Sequence, residues 1–371
     1  MQIALDARNI LNSRNGIGRT IICSCDELQK RGIHLDYYWP ENPGAMRIRS
    51  VEVSDHVSHF PGSLGRIIWS HTILPKQINA ARPDIFWGPA HRLPARLHPS
   101  IPCVVTIHDL VWAKHPQTMR WSGWLADRIL APHAMARADA IIAVSQSTRQ
   151  DIIERYPQHA GKTHVIYPGV TALAAGRNDT TADLPNGSTG DFALFVGTLE
   201  PRKNLAGLLQ ALCGLKIKGQ LTGKLRIVGG QGWRHSNLDG MLRMHNLQDH
   251  VTALGFVSDQ TLDSLYRQAR FLIMPSLYEG FGIPIIEANH YGLPVVTSNV
   301  SSMPEAAGKA GLLIDPLDPD DIAKGWQRLW DDDTLYEDLA AKARPNAARF
   351  SWQQSAERME ALFDQLVTDH K

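Results

Sequence analysis

Short apolar runs alternate with longer amphipathic stretches along most of the chain. Ile3–Leu5, Ile33–Tyr38, Ile85–Trp87, Val104–Ile107, Ala140–Val144 and His164–Ile166 are β-branched or apolar and end in turn residues, which predicts strands. Between them Thr20–Arg31, Leu64–Ala80, Trp121–Ala138 and Ser147–Tyr156 read as helices. Such alternation implies βαβ units and a parallel sheet. It breaks at 171–190, TALAAGRNDTTADLPNGSTG, a stretch rich in Gly, Asn, Asp and Thr with no periodicity, which reads as a linker. It restarts with strands at Phe192–Val196, Leu225–Val228, Val251–Leu254, Phe271–Met274, Val295–Thr297 and Gly311–Ile314. Helices intervene at Asn204–Lys216, Leu238–His245, Thr261–Ala269 and Ile283–Tyr291, and the region from Pro319 to Lys371 is mostly helical. The pattern therefore predicts two doubly wound α/β domains. Ligands of such sheets bind at the carboxyl ends of the strands, so a cleft between the domains is the expected active site.

Composition changes this picture little. A 371-residue chain that is 43% hydrophobic and 20% charged suits two globular domains. No apolar run is long enough to span a bilayer, and Met1–Ala7 does not resemble a signal peptide, so a cytoplasmic location is expected. The four cysteines, Cys23, Cys25, Cys103 and Cys213, form no C-x-x-C pair and read as free thiols. Charge is uneven: residues 1–170 carry 19 Lys and Arg against 13 Asp and Glu, and the rest of the chain carries 19 against 24. A basic N-terminal half suits an anionic partner or membrane surface, or is simply an uneven surface.

Four segments carry candidate chemistry. The first is MPSLYEGFGIPIIE at 274–287, which follows a predicted strand. Gly280 and Gly282 around Phe281 allow a ligand close to the backbone, and Pro284 suits a helix's first turn. The helix N-terminus there favours an anion such as diphosphate. Glu279 and Glu287 can hold sugar hydroxyls at either end of an extended ligand; taken alone, they are equally acids at a helix start. The second segment is VGTLEPRKN at 196–204, with Gly197 at a strand end and Arg202-Lys203 at a helix entrance. Two cations there suit a nucleotide diphosphate and a developing leaving-group charge, though such a pair is often just solvated surface. The third is VVTIHD at 104–109, a strand ending in His108. The fourth is the loop Asn15-Gly16-Ile17-Gly18-Arg19, which lacks the third glycine of a dinucleotide fingerprint because Ile21 stands there.

Together these segments resemble the retaining GT-B glycosyltransferases that carry the E-x7-E motif, known as group 1 or family 4. The matching stretches run in order through nearly the whole chain: GIGR (16–19), IHD (107–109), AVSQSTRQDI (143–152), VIYPGV (165–170), VGTLEPRKN (196–204), IVGG (227–230), LGFVSDQTLDSLY (254–266), PSLYEGFGIPIIEA (275–288) and GLPVVTS (292–298). The resemblance implies a GT-B fold of two Rossmann-like domains facing across a cleft. It assigns 1–170 to the acceptor, joined by a C-terminal helix at about 352–371, and 191–351 to the donor. It implies that Lys203 and Arg202 contact the donor diphosphate and that backbone around Gly280–Gly282 cradles the phosphates. Glu279 would bind the transferred sugar's hydroxyls and Glu287 those of the ribose. Val257 and Ser258 would meet the nucleobase, His108 would lie beside the sugar, and Gly16 and Gly18 near the leaving phosphate. One departure is Thr198, where many relatives have arginine after the glycine, so that arginine's role is not carried over.

The resemblance further implies retention of anomeric configuration by front-face attack, with no metal and no cofactor beyond the donor. The motif wording is similar to bacterial mannosyltransferases of surface polysaccharide synthesis, which points to GDP-mannose as the nucleotide sugar. The expected acceptor is a growing glycan, such as O-antigen or exopolysaccharide, on polyprenyl diphosphate. Peripheral contact with the inner membrane is also expected, through the aromatic and basic residues of Lys114–Arg137; no nucleic-acid partner is. The alternatives are a UDP-sugar or GDP-rhamnose donor, a nucleotide-sugar epimerase and, more distantly, an NAD-dependent oxidoreductase.

Overall fold

The computed structural model describes residues 1–12, 16–43, 54–171, 190–230, 232 and 238–370. Asn15 and nearly all of the expected linker lie outside the described residues. The chain divides into two compact units, Met1–Gly169 with Ser351–Lys371, and Val170–Phe350.

The first unit is built on β1 (Gln2–Asp6), β2 (His34–Trp39), β3 (Ser54–Val57), β4 (Ile85–Gly88), β5 (Cys103–Ile107), β6 (Ala140–Ala143) and β7 (Thr163–Val165). They pair in parallel in the order β3-β2-β1-β4-β5-β6-β7. Successive side chains point to opposite faces, and each face is covered. Ile3, Leu5, Tyr37, Trp39 and Val104 enter one core, while Ala4, Tyr38, Val105 and Ile107 enter the other. The helix Gly16–Lys30 and the C-terminal helix Trp352–Asp369 close the first of these cores. Ala356, Met359, Leu362, Phe363 and Leu366 form the inward face of the C-terminal helix, spaced three or four residues apart. Gly169 backs directly onto Trp352: a Cβ there would lie 2.2 Å from its backbone nitrogen.

The strand β3 has no counterpart in the apolar pattern. It is Ser-Asp-His-Val at the sheet edge and largely exposed, so burial leaves no mark on its sequence. Its pairing with β2 is reinforced by Trp39 Nε1, which donates to Asp55 Oδ1 at 2.7 Å.

The second unit repeats the plan with β8 (Phe192–Val196), β9 (Lys224–Val228), β10 (Val251–Gly255), β11 (Phe271–Met274), β12 (Val295–Ser298) and β13 (Gly311–Ile314). The order is β10-β9-β8-β11-β12-β13, again parallel. One face packs Phe195, Leu225, Phe271 and Ile273 under the helices Leu205–Ile217 and Pro319–Asp331, with Trp326 fully buried. Among the described residues no helix is long and apolar enough to cross a membrane, and all four cysteines are free.

Candidate active site

In the second unit the strand order reverses between β8 and β11, and the two loops that leave these strands lie side by side. The β8 loop begins at Gly197, whose N–H donates to Val228 O at 2.9 Å. It is pressed against the end of β9, where a Cβ on Gly229 would fall 1.9 Å from Gly197 O, a contact only glycine permits. A 3-10 turn, Pro201–Lys203, follows. Asn204, in the left-handed conformation at φ 56°, leads into the helix Leu205–Ile217 and ties back through its amide to Pro316 O.

The β11 loop runs from Pro275 to Gly282. Leu277 N–H donates to Arg202 O at 2.7 Å and joins the two loops. The carbonyl of Glu279 accepts from the hydroxyls of Ser301 and Ser302 at 2.7 and 2.9 Å, which fixes the backbone there. Gly282 precedes the helix Ile283–His290 at φ 99°, and Pro284 sits in the first turn. The turn from strand to helix thus needs both the glycine and the proline that the sequence supplies.

Arg202 and Lys203 meet Glu279, 77 and 76 positions further along the chain, at this junction. Glu279 is 6% exposed and Lys203 7%. Glu279 Oε2 lies 2.7 Å from Arg202 Nη1, and Oε1 lies 2.6 Å from Lys203 Nζ. Burial alone pushes the Glu279 carboxyl up. The Arg202 and Lys203 cations together outweigh it and hold the group down at about 2. Burial also lowers the Lys203 ammonium, against the pull of Glu279. Arg202 Nε additionally pairs with Glu200 at 3.1 Å. A solvated Arg-Lys pair is therefore not what the fold builds. Both cations are engaged by carboxylates, as a buried charge requires.

Glu287 lies on the helix Ile283–His290 and is only 4% exposed; the hydroxyl of Tyr266 donates to its Oε2 at 2.9 Å. Gly280 is partly exposed, while Phe281 is buried with its ring edge-on to Phe350 at 5.1 Å. Val257 and Ser258 follow β10, the edge strand. Ser258 Oγ accepts Thr261 N–H and starts the helix Asp259–Gln268. Asp331 ends one helix and Asp333 begins the next, with only Asp332 between them; Asp332 caps the second helix and Asp333 pairs with Arg270.

The first unit holds the remaining candidates. Gly16 and Gly18 form the first turn of the helix Gly16–Lys30. His108 follows β5, buried, and its Nε2 lies 2.8 Å from Pro89 O. A carbonyl only accepts, so Nε2 carries the proton. His108 backbone N–H donates to His91 Nε2 at 3.1 Å, and the two rings stack at 5.6 Å and 13°. Burial, then the neighbouring His91, pushes His108 down to about 4, so the imidazole is neutral near pH 7. A cavity of about 20 Å³, lined by Thr20, Thr106, His108 and Ser355 among others, adjoins it. That is room for one water.

Of two residues in direct contact with the candidates, His91 carries no sequence signal, and Tyr266 closes the matching stretch LGFVSDQTLDSLY without a role of its own. Each is a single aromatic side chain joined to its partner only by the fold, 17 and 21 positions away.

The model for "Glycosyl transferases group 1" matches residues 177–346, and that for "Glycosyltransferase Family 4" matches residues 14–172. O-antigen chain mannosyltransferase B of Escherichia coli is 33% identical over 279 residues, covering 72% of this chain and 71% of that protein. The serotype-specific mannosyltransferase WbdA of Escherichia coli is 30% identical over 233 residues. That match covers 59% of this chain but only 28% of WbdA. Among solved structures, sucrose-phosphate synthase from Thermosynechococcus elongatus superposes over 100% of both chains with a TM-score of 0.75 at 21% identity, a likeness of fold. Two parallel sheets with flanking helices, two matched family models and a relative at 33% identity lead to one conclusion: this chain belongs to the glycosyltransferases of group 1 and family 4, with the GT-B fold.

Proposed function

We propose that the protein is a retaining mannosyltransferase, moving α-mannose from GDP-mannose to a growing bacterial surface polysaccharide carried on polyprenyl diphosphate. The observation that carries this reading is the buried Arg202–Lys203–Glu279 cluster at the strand-order reversal, beside the helix that Gly282 opens. Two cations held on a carboxylate are preassembled for a diphosphate. On donor binding the diphosphate oxygens take over Arg202 and Lys203, and the Glu279 carboxylate turns to the hydroxyls of the sugar. The helix N-terminus and the backbone at Gly280 add donors for the phosphates. Val257 and Ser258 serve the base and Glu287 the ribose. His108 stays neutral and offers hydrogen bonds rather than charge to the sugar, with Gly16 and Gly18 near the leaving phosphate. Attack is front-face: the donor phosphate takes the acceptor's proton, and configuration is retained without a metal ion. The first unit with the final helix binds the acceptor, and the second unit binds the donor. The mannosyltransferase names of the two Escherichia coli relatives support the choice of sugar and of polysaccharide.

Contact with the cytoplasmic membrane face belongs to the same reading. On the helix Trp121–Arg137, the apolar side chains of Trp121, Leu125 and Ile129 recur every fourth residue and are exposed. Arg128 lies over the Trp124 ring at 5.0 Å. An apolar stripe flanked by cations suits an anionic bilayer. Flotation with phosphatidylglycerol vesicles tests this: binding should be lost in Trp121→Ala with Leu125→Ala, and an unbound wild type would end the idea.

A thermal-shift screen against nucleotides and nucleotide sugars tests the central reading. GDP and GDP-mannose should raise the melting temperature by several degrees at roughly a hundredfold excess over Kd. Stabilisation by UDP instead would move the donor to a UDP-sugar, and no response to any nucleotide would overturn the reading. The anomeric proton signals of the product decide retention.

A further inference from the structure

Glu287 is held from one side by a pair of packed helices. Tyr266, fully buried on the helix Asp259–Gln268, donates its hydroxyl to Glu287 Oε2 at 2.9 Å. The Tyr266 ring stacks on Tyr291, four residues beyond Glu287, with centroids 5.3 Å apart and planes within 7°. The Tyr291 hydroxyl in turn donates to Asp263 Oδ1 at 2.6 Å, and Arg267 Nε pairs with Asp263 Oδ2 at 2.8 Å. Arg267 also lies over the Tyr291 ring at 5.1 Å. Asp263, Tyr266 and Arg267 share one helix, and Glu287 and Tyr291 sit on or just past the other, so the two helices are bonded at two points and stacked between them. A carboxylate offers about four acceptor positions. The Tyr266 hydroxyl engages one oxygen, Oε2, and limits rotation of the group. The helix that carries Tyr266 is also capped by Ser258, so the loop assigned to the base and the support of Glu287 belong to one helix.

We infer that Tyr266 is a positioning residue that orients the Glu287 carboxylate toward the vicinal hydroxyls of the donor's ribose. This rests on the reading of Glu287 as the ribose ligand. Tyr266 does not touch the donor; it acts through Glu287. Removing its hydroxyl should therefore weaken only that part of nucleotide binding that depends on the diol.

The experiment measures, by titration calorimetry, the affinities of GDP and 2′,3′-dideoxy-GDP for the wild type, Tyr266→Phe, Glu287→Gln and Tyr291→Phe. Tyr266→Phe keeps the ring and its stack. The wild type should prefer GDP by about tenfold, the size of a diol–carboxylate contact. Glu287→Gln should abolish most of the preference. Tyr266→Phe should reduce it to about threefold, leaving dideoxy-GDP affinity within about twofold of wild type. In turnover, Tyr266→Phe should raise KM for the donor with kcat within about twofold. Tyr291→Phe keeps the Tyr266 hydroxyl and should retain the full preference. If Tyr266→Phe keeps the whole preference while Glu287→Gln loses it, Tyr266 does not position the carboxylate, and the ribose reading stands. If Tyr266→Phe weakens GDP and dideoxy-GDP equally, its role is only structural and the inference fails. If Glu287→Gln also keeps the preference, the ribose reading itself is wrong and the inference falls with it.

Discussion

In both units the strand order reverses beside the first strand, between β1 and β4 in one and between β8 and β11 in the other. The residues gathered at these two places differ in kind. At the second unit's reversal Arg202, Lys203 and Glu279 form a buried ionic cluster with distances of 2.6 and 2.7 Å. In the first unit the end of β1 carries a buried ion pair of its own, Asp6 with Arg8, and the loops after β4 and β5 carry the stacked rings of His91 and His108, held by main-chain groups. The same topology thus presents two cations sharing one carboxylate across two loops on one unit, and a local ion pair beside hydrogen-bonding imidazoles on the other. A diphosphate needs the first and a sugar hydroxyl needs only the second. Charge is costly to bury, and on the proposed reading the donor diphosphate is what repays that cost in the second unit.

The sharpest break in this comparison is Glu279→Gln. It leaves Lys203 buried without its carboxylate, an arrangement that costs about 3–5 kcal/mol. Transfer should fall by roughly a thousandfold or more, because the residue is asked to act in the transition state as well. Initial rates with donor in excess, together with melting of the variant, measure both. A variant with near-wild-type rates would make the cluster a structural ion pair and remove the contrast between the units.

Next comes Phe363→Ala. Phe363 is fully buried, 6.4 Å from the Trp87 ring, in the core shared with β1 and β2. Truncation of such an aromatic costs about 3–5 kcal/mol. Denaturant unfolding should show this loss in the first unit, and nucleotide affinity should be unchanged. A loss of nucleotide affinity instead would mean that the final helix serves the charged site too.

How far this contrast was legible beforehand varies with the residues concerned. The strand-glycine-helix turn at Gly282 could be read because its φ of 99° admits little but glycine and Pro284 marks a first turn. Twelve of the strands left an apolar run, whereas β3, polar and exposed at an edge, left none. The inward spacing of Ala356, Met359, Phe363 and Leu366 reveals an amphipathic helix but not which core receives it. The pairing of Arg202 and Lys203 with Glu279 spans two loops and cannot be read locally: the sequence suggests two cations suited to a diphosphate, but not the carboxylate that holds them. His91 escaped for the same reason: its left-handed φ of 58° and its bond to His108 arise only once β4 and β5 are neighbours.

Acid titration sharpens the comparison further. His108 has a folded value of about 4 against 6.5 for an ordinary histidine. The unfolded chain takes up that proton first. The stability it contributes is therefore complete above pH 6.5 and is lost as pH falls to about 4, a loss of roughly 3 kcal/mol. His71, His115, His159 and His164 of the first unit are also lowered, each chiefly by burial. Glu279 works in a lower window: its contribution is present above 4.5 and lost as pH falls through about 2. Among the described residues the second unit has one lowered histidine, His290, against the five of the first, so the first unit should weaken before the second on acidification. Subtracting the pH profile of His108→Asn from that of the wild type isolates the His108 share; a flat difference between pH 6.5 and 4 would show that the ring is not held neutral.

The smallest effect belongs to Glu287→Gln, and it tests whether the charged unit is charged for one purpose or two. Glu287 is buried like Glu279 and takes a hydrogen bond from a phenol hydroxyl, whereas Glu279 is held by the cations of Arg202 and Lys203. A neutral donor that orients a carboxylate suits a partner that is itself a neutral hydroxyl. The substitution should therefore weaken donor binding by about tenfold and leave kcat nearly unchanged, because the ribose stays bound in ground and transition states alike. Equal losses in kcat would place Glu287 with the reacting centre, and the two glutamates of the motif would then share one role instead of dividing sugar from nucleotide.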